Sequence, residues 1–182
     1  MIKKYIPSDC YKTIFDIDFD KLYNEGIRGL LFDIDNTILP YGLKIPQQKH
    51  IEFMKCLKNK GFKICLISNN NNKRVNLVAD KLDVLGVSKA MKPHKKGYLK
   101  ASELLKIDID KLTMIGDQML TDIAGANKLG IKTILVRTII IKKQKWYTKI
   151  NRLREKGILR KLKKEDKGMY EKLRKEVYFD EV

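Results

Sequence analysis

Asp33 and Asp35 stand one residue apart at the end of an apolar run, Gly29-Leu30-Leu31-Phe32, and are followed by Asn36 and Thr37. In an extended chain alternate side chains share a face, so both carboxylates leave the strand end together while Ile34 points away. That geometry suits a metal-assisted nucleophile with an acid beside it. A carboxylate attacks a phosphate monoester poorly because both are anionic, and a divalent cation between them removes the repulsion. Attack by Asp33 would give an aspartyl-phosphate, dividing one hard displacement into two easier ones. Asp35 could protonate the leaving oxygen and later deprotonate the attacking water. Asp33 and Asp117 would be side-chain ligands of the cation, a six-coordinate Mg²⁺ that keeps waters and one phosphate oxygen. Ser68 would hydrogen-bond the transferring phosphoryl group, and Lys92 would balance its charge.

The chain carries its own control for this reading. Phe15-Asp16-Ile17-Asp18 repeats Phe32-Asp33-Ile34-Asp35 letter for letter. The earlier copy lacks a preceding apolar strand, and Asp18 or Asp20 there is expected to cap a helix N-terminus. Context, not the tetrapeptide, makes the second copy the candidate. A calcium loop of the EF-hand type is excluded, since Ile38 occupies the position of the turn glycine and Lys44 that of the bidentate glutamate.

The elements that must position these residues alternate. Residues 26–33 read as a strand, 46–60 as an amphipathic helix with Ile51, Met54 and Leu57 inward, and 61–68 as a second strand. A helix over 73–85 is expected to end at Gly86. A third strand over 87–91, a helix over 95–106, a strand over 112–115, a helix over 121–129 closed by Gly130 and a strand over 131–136 follow. This alternation implies an α/β fold, a three-layer Rossmann-like parallel sheet with helices on both faces. Sites in such sheets lie at the carboxyl ends of the strands. Asp33 to Thr37, Ser68-Asn69, Lys92 and Asp117 fall at four of those ends. Residues 1–141 form this core; residues 142–182 read as a basic extension of two or three helices, with Gly157 and Gly168 as breaks.

The constellation resembles the haloacid dehalogenase superfamily of phosphohydrolases. Asp33-Ile34-Asp35-Asn36-Thr37 matches its D-x-D-x-T motif, Leu66-Ile67-Ser68-Asn69 its second, Lys92 its third and Gly116-Asp117-Gln118-Met119-Leu120-Thr121-Asp122 its G-D-x-x-x-x-D motif. The resemblance implies Asp33 as nucleophile, Asp35 as acid/base that also lends its main-chain carbonyl to the metal, Asp117 as metal carboxylate and Asp122 at the edge of the metal site. It assigns Thr37, Ser68, Asn69 and Lys92 to the substrate phosphate. A receiver domain of two-component signalling is set aside, because its Lys-Pro follows the last acidic strand end whereas Lys92-Pro93 precedes Asp117. The intervals 37–68 and 68–92 hold a crossover each and leave no room for a cap domain. Together with Ile6-Pro7-Ser8, Gly26-Ile27-Arg28-Gly29, Ser68-Asn69-Asn70 and Gly116-Asp117-Gln118, this is similar to the capless subclass IIIA branch, the YqeG family, related to phosphatidylglycerophosphate phosphatases.

Charge suggests the kind of partner. Lys and Arg number 39 against 22 Asp and Glu, a net +17. Residues 142–182 alone hold 15 basic and 7 acidic side chains. Such an excess fits an anionic partner: a phosphorylated substrate, an anionic membrane surface or nucleic acid. An open site and a basic tail favour a lipid phosphate such as phosphatidylglycerophosphate, with Trp146 and Tyr147 beside Lys145 and Lys149 suited to an interfacial helix. The alternative is a nucleic-acid-associated protein whose core acts on an RNA-linked substrate or serves as a scaffold; the charge alone supports it. No run approaches a membrane span, and the scattered Cys10, Cys56 and Cys65 fit a reducing cytoplasm, with the inner membrane face as a peripheral location.

Overall fold

The computed structural model describes residues 2–139 and 146–178, and of 146–153 the backbone alone. Its elements are β1 (Asp9–Tyr11), α1 (Phe19–Asn24), β2 (Gly29–Phe32), α2 (Gln48–Asn59), β3 (Lys63–Ile67), α3 (Asn72–Leu82), β4 (Leu85–Val87), α4 (Lys95–Leu105), β5 (Leu112–Gly116), α5 (Ala124–Asn127), β6 (Lys132–Val136), α6 (Trp146–Glu165) and α7 (Lys167–Glu176). A wide π-type turn, Met119–Ile123, leads from β5 into α5. The sheet order is β1-β6-β5-β2-β3-β4, and every neighbouring pair is parallel.

Both faces of the sheet are covered, as strands this apolar require. Leu30, Phe32, Leu66, Ile115 and Ile134 project to one face and pack with Leu22, Met54, Leu57, Val75 and Val78 of α1 to α3. Leu31, Cys65 and Met114 project to the other and pack with Tyr98, Ala101 and Ala126. Toward the β1 edge that second face is completed by the C-terminal helices, where Ile158, Leu162, Leu173 and Tyr178 bury Cys10, Met119, Ile123 and Leu135. The tail therefore supplies a wall of the core. The side chains of Lys145, Trp146, Tyr147, Lys149, Ile150 and Leu153, and the expected boundary at 141/142, lie outside the described residues.

The expected strands and helices are present, with five differences. The helix expected over 121–129 is the π-type turn Met119–Ile123 followed by the short α5, Ala124–Asn127. β1 follows no apolar pattern, yet Asp9, Cys10 and Tyr11 pair with Ile134, Leu135 and Val136 and extend the sheet by an edge strand. α3 ends at Leu82, where Asp83 takes a left-handed conformation (φ 53°) as its C-cap. Gly86 instead lies inside β4, because a Cβ there would come within 2.8 Å of Val75 Cγ1; the glycine lets α3 sit against the strand. Accordingly the third expected strand runs over Leu85–Val87, not 87–91. Gly157 and Gly168 break nothing: each lies within a helix. A glycine costs a helix only about 1 kcal/mol, less than burial of neighbouring Ile158, Leu159 and Leu162 returns. The break falls at Asp166, whose side chain accepts from Met169 N at 2.9 Å and starts α7.

In the repeated tetrapeptide, Asp16 closes a capping box with Thr13, and Asp18 caps α1 by accepting from Lys21 N at 2.9 Å. The structural role expected of that copy is the one it has.

Because Leu162 is fully buried in the cluster shared by tail and sheet, Leu162→Ala should lower the stability of the whole domain by about 2–5 kcal/mol. Urea unfolding followed by far-ultraviolet circular dichroism should shift as a single transition. A separate early loss of helix, with the main midpoint unmoved, would show that the tail folds apart from the sheet.

Candidate active site

Four strand ends bring the motif residues together. Asp33 continues directly from β2, its N–H donating to Ile115 O of β5 at 2.9 Å. The chain then turns through Asn36 at φ 68°, with Ile38 and Leu39 N–H both donating to Ile34 O. That turn brings the Thr37 hydroxyl to 3.4 Å from Asp33 Oδ2. A positive φ is tolerated by asparagine better than by most residues, and Asn36 also accepts from Tyr41 N through its side chain. Asn at this place is thus a turn residue.

Lys92 comes from beyond β4 and reaches back across β3. Asn69 makes this possible: its amide accepts from Lys92 N at 2.7 Å and donates to Lys92 O at 3.0 Å. With its backbone clamped, Lys92 places Nζ 2.6 Å from Asp33 Oδ1 and 2.7 Å from Asp122 Oδ1. Asn69 therefore meets the site through Lys92's backbone. Ser68 is buried at the end of β3 and its hydroxyl accepts from Asn70 N at 3.2 Å, so it caps the turn while facing the rim.

Asp117 follows β5, and Asp122 arrives from the π-type turn one coil later. A Cβ on Gly116 would come within 2.5 Å of the Asp122 carboxylate, so only glycine admits that side chain beneath the strand end. The turn is held from two sides. Tyr98 donates to Thr121 O at 2.9 Å and to Asp122 O at 3.0 Å, and Glu155 of α6 accepts from Met119 N at 2.7 Å. Tyr178 donates to the other oxygen of Glu155 at 3.1 Å.

Oxygens of Asp33, Asp117 and Asp122 all lie within 4.8 Å of one another, and all three residues are buried. Lys92 is the cation that contacts this group among the described residues, so three carboxylates face one ammonium. Neither oxygen of Asp117 has a donor in hydrogen-bonding geometry. A buried carboxylate left so is strongly disfavoured unless neutralised or bound to a cation. Burial, opposed by Lys92 and reinforced by the charges of Asp122 and Asp35, pushes the Asp33 carboxyl up to about 7. Burial and the charges of Asp33, Asp122 and Glu155 raise Asp117 well above the ordinary range, the Thr138 side chain opposing them. For Lys92 burial works against the charge, but Asp122 and Asp33 outweigh it and raise its pKa. An all-oxygen, doubly anionic cluster with two orphaned acceptors fits a hard divalent cation.

Asp35 lies apart from this cluster. Its oxygens accept from Arg74 Nη2 at 2.9 Å and Asn70 Nδ2 at 3.1 Å, and Arg74 Nη1 also donates to Lys44 O at 2.8 Å. Arg74, Tyr98 and Glu155 were not expected from sequence, whereas Asn70 stands in the Ser68-Asn69-Asn70 run without a role assigned there. Each of those three acts across a wide separation in the chain, and none belongs to a local pattern.

Known proteins are similar to this chain. Residues 30–92 match the model of haloacid dehalogenase-like hydrolases, and residues 90–155 match that of HAD-hydrolase-like proteins. The chain is 34% identical over 165 residues to the probable phosphatase YqeG of Bacillus subtilis, covering 90% of this chain and 95% of that one. It is 28% identical to the chloroplastic phosphatidylglycerophosphate phosphatase 1 of Chlamydomonas reinhardtii, over 74% of this chain but 53% of that protein. Among solved structures, the cobalt-bound deoxy-D-mannose-octulosonate 8-phosphate phosphatase YrbI of Haemophilus influenzae shares the fold at a TM-score of 0.51, with 13% identity over 64% of this chain and 70% of that one. The chain belongs to the haloacid dehalogenase-like hydrolases, in the family of the YqeG phosphatase, and it is a phosphatase.

The raised carboxyls have a measurable consequence. From the ordinary value of 3.8 up to about 7 at Asp33, the metal-free folded protein holds more protons than the unfolded chain. This contribution to stability is present in acid and lost as pH rises through that window. Asp117→Asn removes one of the repelling charges, so without metal it should melt higher than wild type at about pH 8 and show a smaller gain on acidification to about pH 5. Mg²⁺ should raise the wild-type melting temperature and leave the variant's unchanged. A variant less stable than wild type in metal-free solution at the higher pH would refute the strained-cluster account.

Proposed function

We propose that the protein is a Mg²⁺-dependent phosphate monoesterase that works through an aspartyl-phosphate on Asp33. The observation that carries this reading is the buried group of Asp33, Asp117 and Asp122 around Lys92, with both Asp117 oxygens unpartnered. Asp33 and Asp117 would hold the ion, together with the main-chain carbonyl of Asp35, and Asp122 would act from its edge. Bound there, Mg²⁺ supplies charge neutralisation between the nucleophile and the phosphate.

The protein's own groups account for the remainder. Asp33 attacks phosphorus; its P–O bond forms as the bond to the leaving oxygen breaks. Asp35 delivers a proton to that oxygen, and then takes one from the water that cleaves the acyl-phosphate and regenerates Asp33. Lys92 balances charge on the equatorial oxygens, while the Thr37 and Ser68 hydroxyls hydrogen-bond them. Asn69 fixes the lysine's backbone and thus acts on the phosphate at one remove.

We infer a lipid phosphate, of the phosphatidylglycerophosphate type, as substrate. The short intervals between motifs leave the site without a cap, so the substrate's surroundings must help exclude water. Relatives named as phosphatidylglycerophosphate phosphatases match 74% of this chain, though it spans about half or less of their length. The nucleic-acid alternative rests on net charge alone.

Asp33→Asn should abolish turnover of an aryl phosphate while the circular dichroism spectrum stays native; persistent turnover would defeat the nucleophile assignment. Asp35→Asn should slow alkyl phosphates, which need leaving-group protonation, at least tenfold more than aryl phosphates with good leaving groups. Equal slowing would remove its role as acid. Across a panel of phosphate esters with Mg²⁺, phosphatidylglycerophosphate in mixed vesicles should give the highest kcat/KM. Release confined to small soluble esters would eliminate the lipid reading.

A further inference from the structure

The carboxyl-end rim carries more than the catalytic residues. Beside Thr37 opens a groove of about 570 Å³, walled by Ile14, Phe15, Ile38, Pro40 and Leu43 and by Lys49 at the start of α2. Thr37 is common to groove and site, since its hydroxyl stands 3.4 Å from the Asp33 carboxylate. Two large apolar side chains of the groove's wall reach solvent, Phe15 at 45% exposed and Leu43 at 38%, and Ile45, two residues after Leu43, is 53% exposed. Phe15 is braced there against Phe53, with ring centroids 4.8 Å apart, and Lys49 Nζ lies 5.8 Å over its ring. Lys12, Lys44 and Lys49 are all exposed, Lys44 standing between Leu43 and Ile45 in the chain. The exposed carboxylate of Asp16 sits on the same rim and is engaged by the Thr13 N–H and hydroxyl, so the lysines there outnumber it three to one.

An apolar lip set among lysines is the composition that seats on an anionic bilayer, apolar groups entering the acyl boundary and ammonium groups meeting phosphates. The second large groove shows the contrast. It opens at the amino ends of the strands, where Asp80 and Asp83 stand beside Lys58, Lys63 and Lys106 in its wall, and it includes no catalytic group.

We propose that the rim formed by Thr13 to Phe15, Leu43 to Ile45 and the first turn of α2 is a docking surface for an anionic glycerophospholipid bilayer, and that docking turns the mouth of the catalytic site toward the lipid headgroups. This rests on the lipid-phosphate reading for its purpose, but not for its evidence. It also answers the missing cap: the bilayer shields the open site. The lip is coupled to the chemistry, because Arg74 binds both Lys44 O and the Asp35 carboxylate. Loop 43–45 and the acid/base are thus held by one guanidinium.

Co-sedimentation of the full chain with vesicles of phosphatidylcholine containing a third phosphatidylglycerol tests the surface directly, against vesicles of phosphatidylcholine alone. Wild type should partition at least tenfold better into the anionic vesicles. Leu43→Glu with Ile45→Glu should reduce that partition tenfold or more, and Lys44→Glu with Lys49→Glu should do likewise, each lysine contributing about fivefold near an anionic surface. The urea midpoint of each variant confirms folding. Equal binding to neutral and anionic vesicles, or undiminished binding of the apolar pair, would overturn the proposal. Loss in the lysine pair alone would also overturn it, in favour of a purely electrostatic surface of the kind RNA uses. Hydrolysis of phosphatidylglycerophosphate separates the two ideas. Rim-dependent binding without lipid hydrolysis leaves docking standing and removes the substrate; hydrolysis equal in all variants leaves the substrate and removes docking.

Discussion

Lys92 among Asp33, Asp117 and Asp122 is the constraint around which the molecule is arranged. Three carboxylates inside a protein repel one another and lose water's solvation, and one ammonium offsets only part of that cost. Such a cluster persists because the rest of the fold holds it in place. Asn69 pins the lysine's backbone at two points. Gly116 makes room for Asp122 under the strand end. Tyr98 spans from α4 to lock the turn that delivers it. The unfavourable charge left at Asp117 is what a bound divalent cation would relieve. Stability is spent so that binding can recover it.

The parallel sheet explains how so few residues suffice. β5, β2 and β3 lie side by side, so Asp117, Asp33 and Ser68 emerge from adjacent strand ends with their spacing set by the sheet's own hydrogen bonds. Lys92 and Asp122 come from longer loops, and these are the two residues with extra anchors. Precision is supplied by the ladder where the ladder reaches, and by side-chain clamps where it does not.

The same distinction explains what could be read in advance. Asp33, Asp35, Ser68, Lys92, Asp117 and Asp122 stand next to elements with clear apolar periodicity, so their placement at one rim follows from strand alternation. β1 is three residues long, Asp-Cys-Tyr, and gains its pairing only from β6 across more than a hundred residues. No local pattern announces it. Gly86 and Gly157 misled for a related reason: a glycine reads as a helix stop, but at Gly86 the missing Cβ serves the approach of α3, and at Gly157 burial of the neighbours carries the helix through. Arg74 and Glu155 belong to the site through contacts that only the folded chain creates.

Glu155 gives the C-terminal helices a significance that their lysine-rich composition hides. Its carboxylate roofs the loop between Asp117 and Asp122 through Met119 N–H, and Tyr178 from beyond α7 steadies its other oxygen. The extension is thus a buttress of the loop that carries Asp122 as well as a wall of the core. A chain cut ahead of α6 would bare Cys10 and Leu135 and unroof that loop in one stroke.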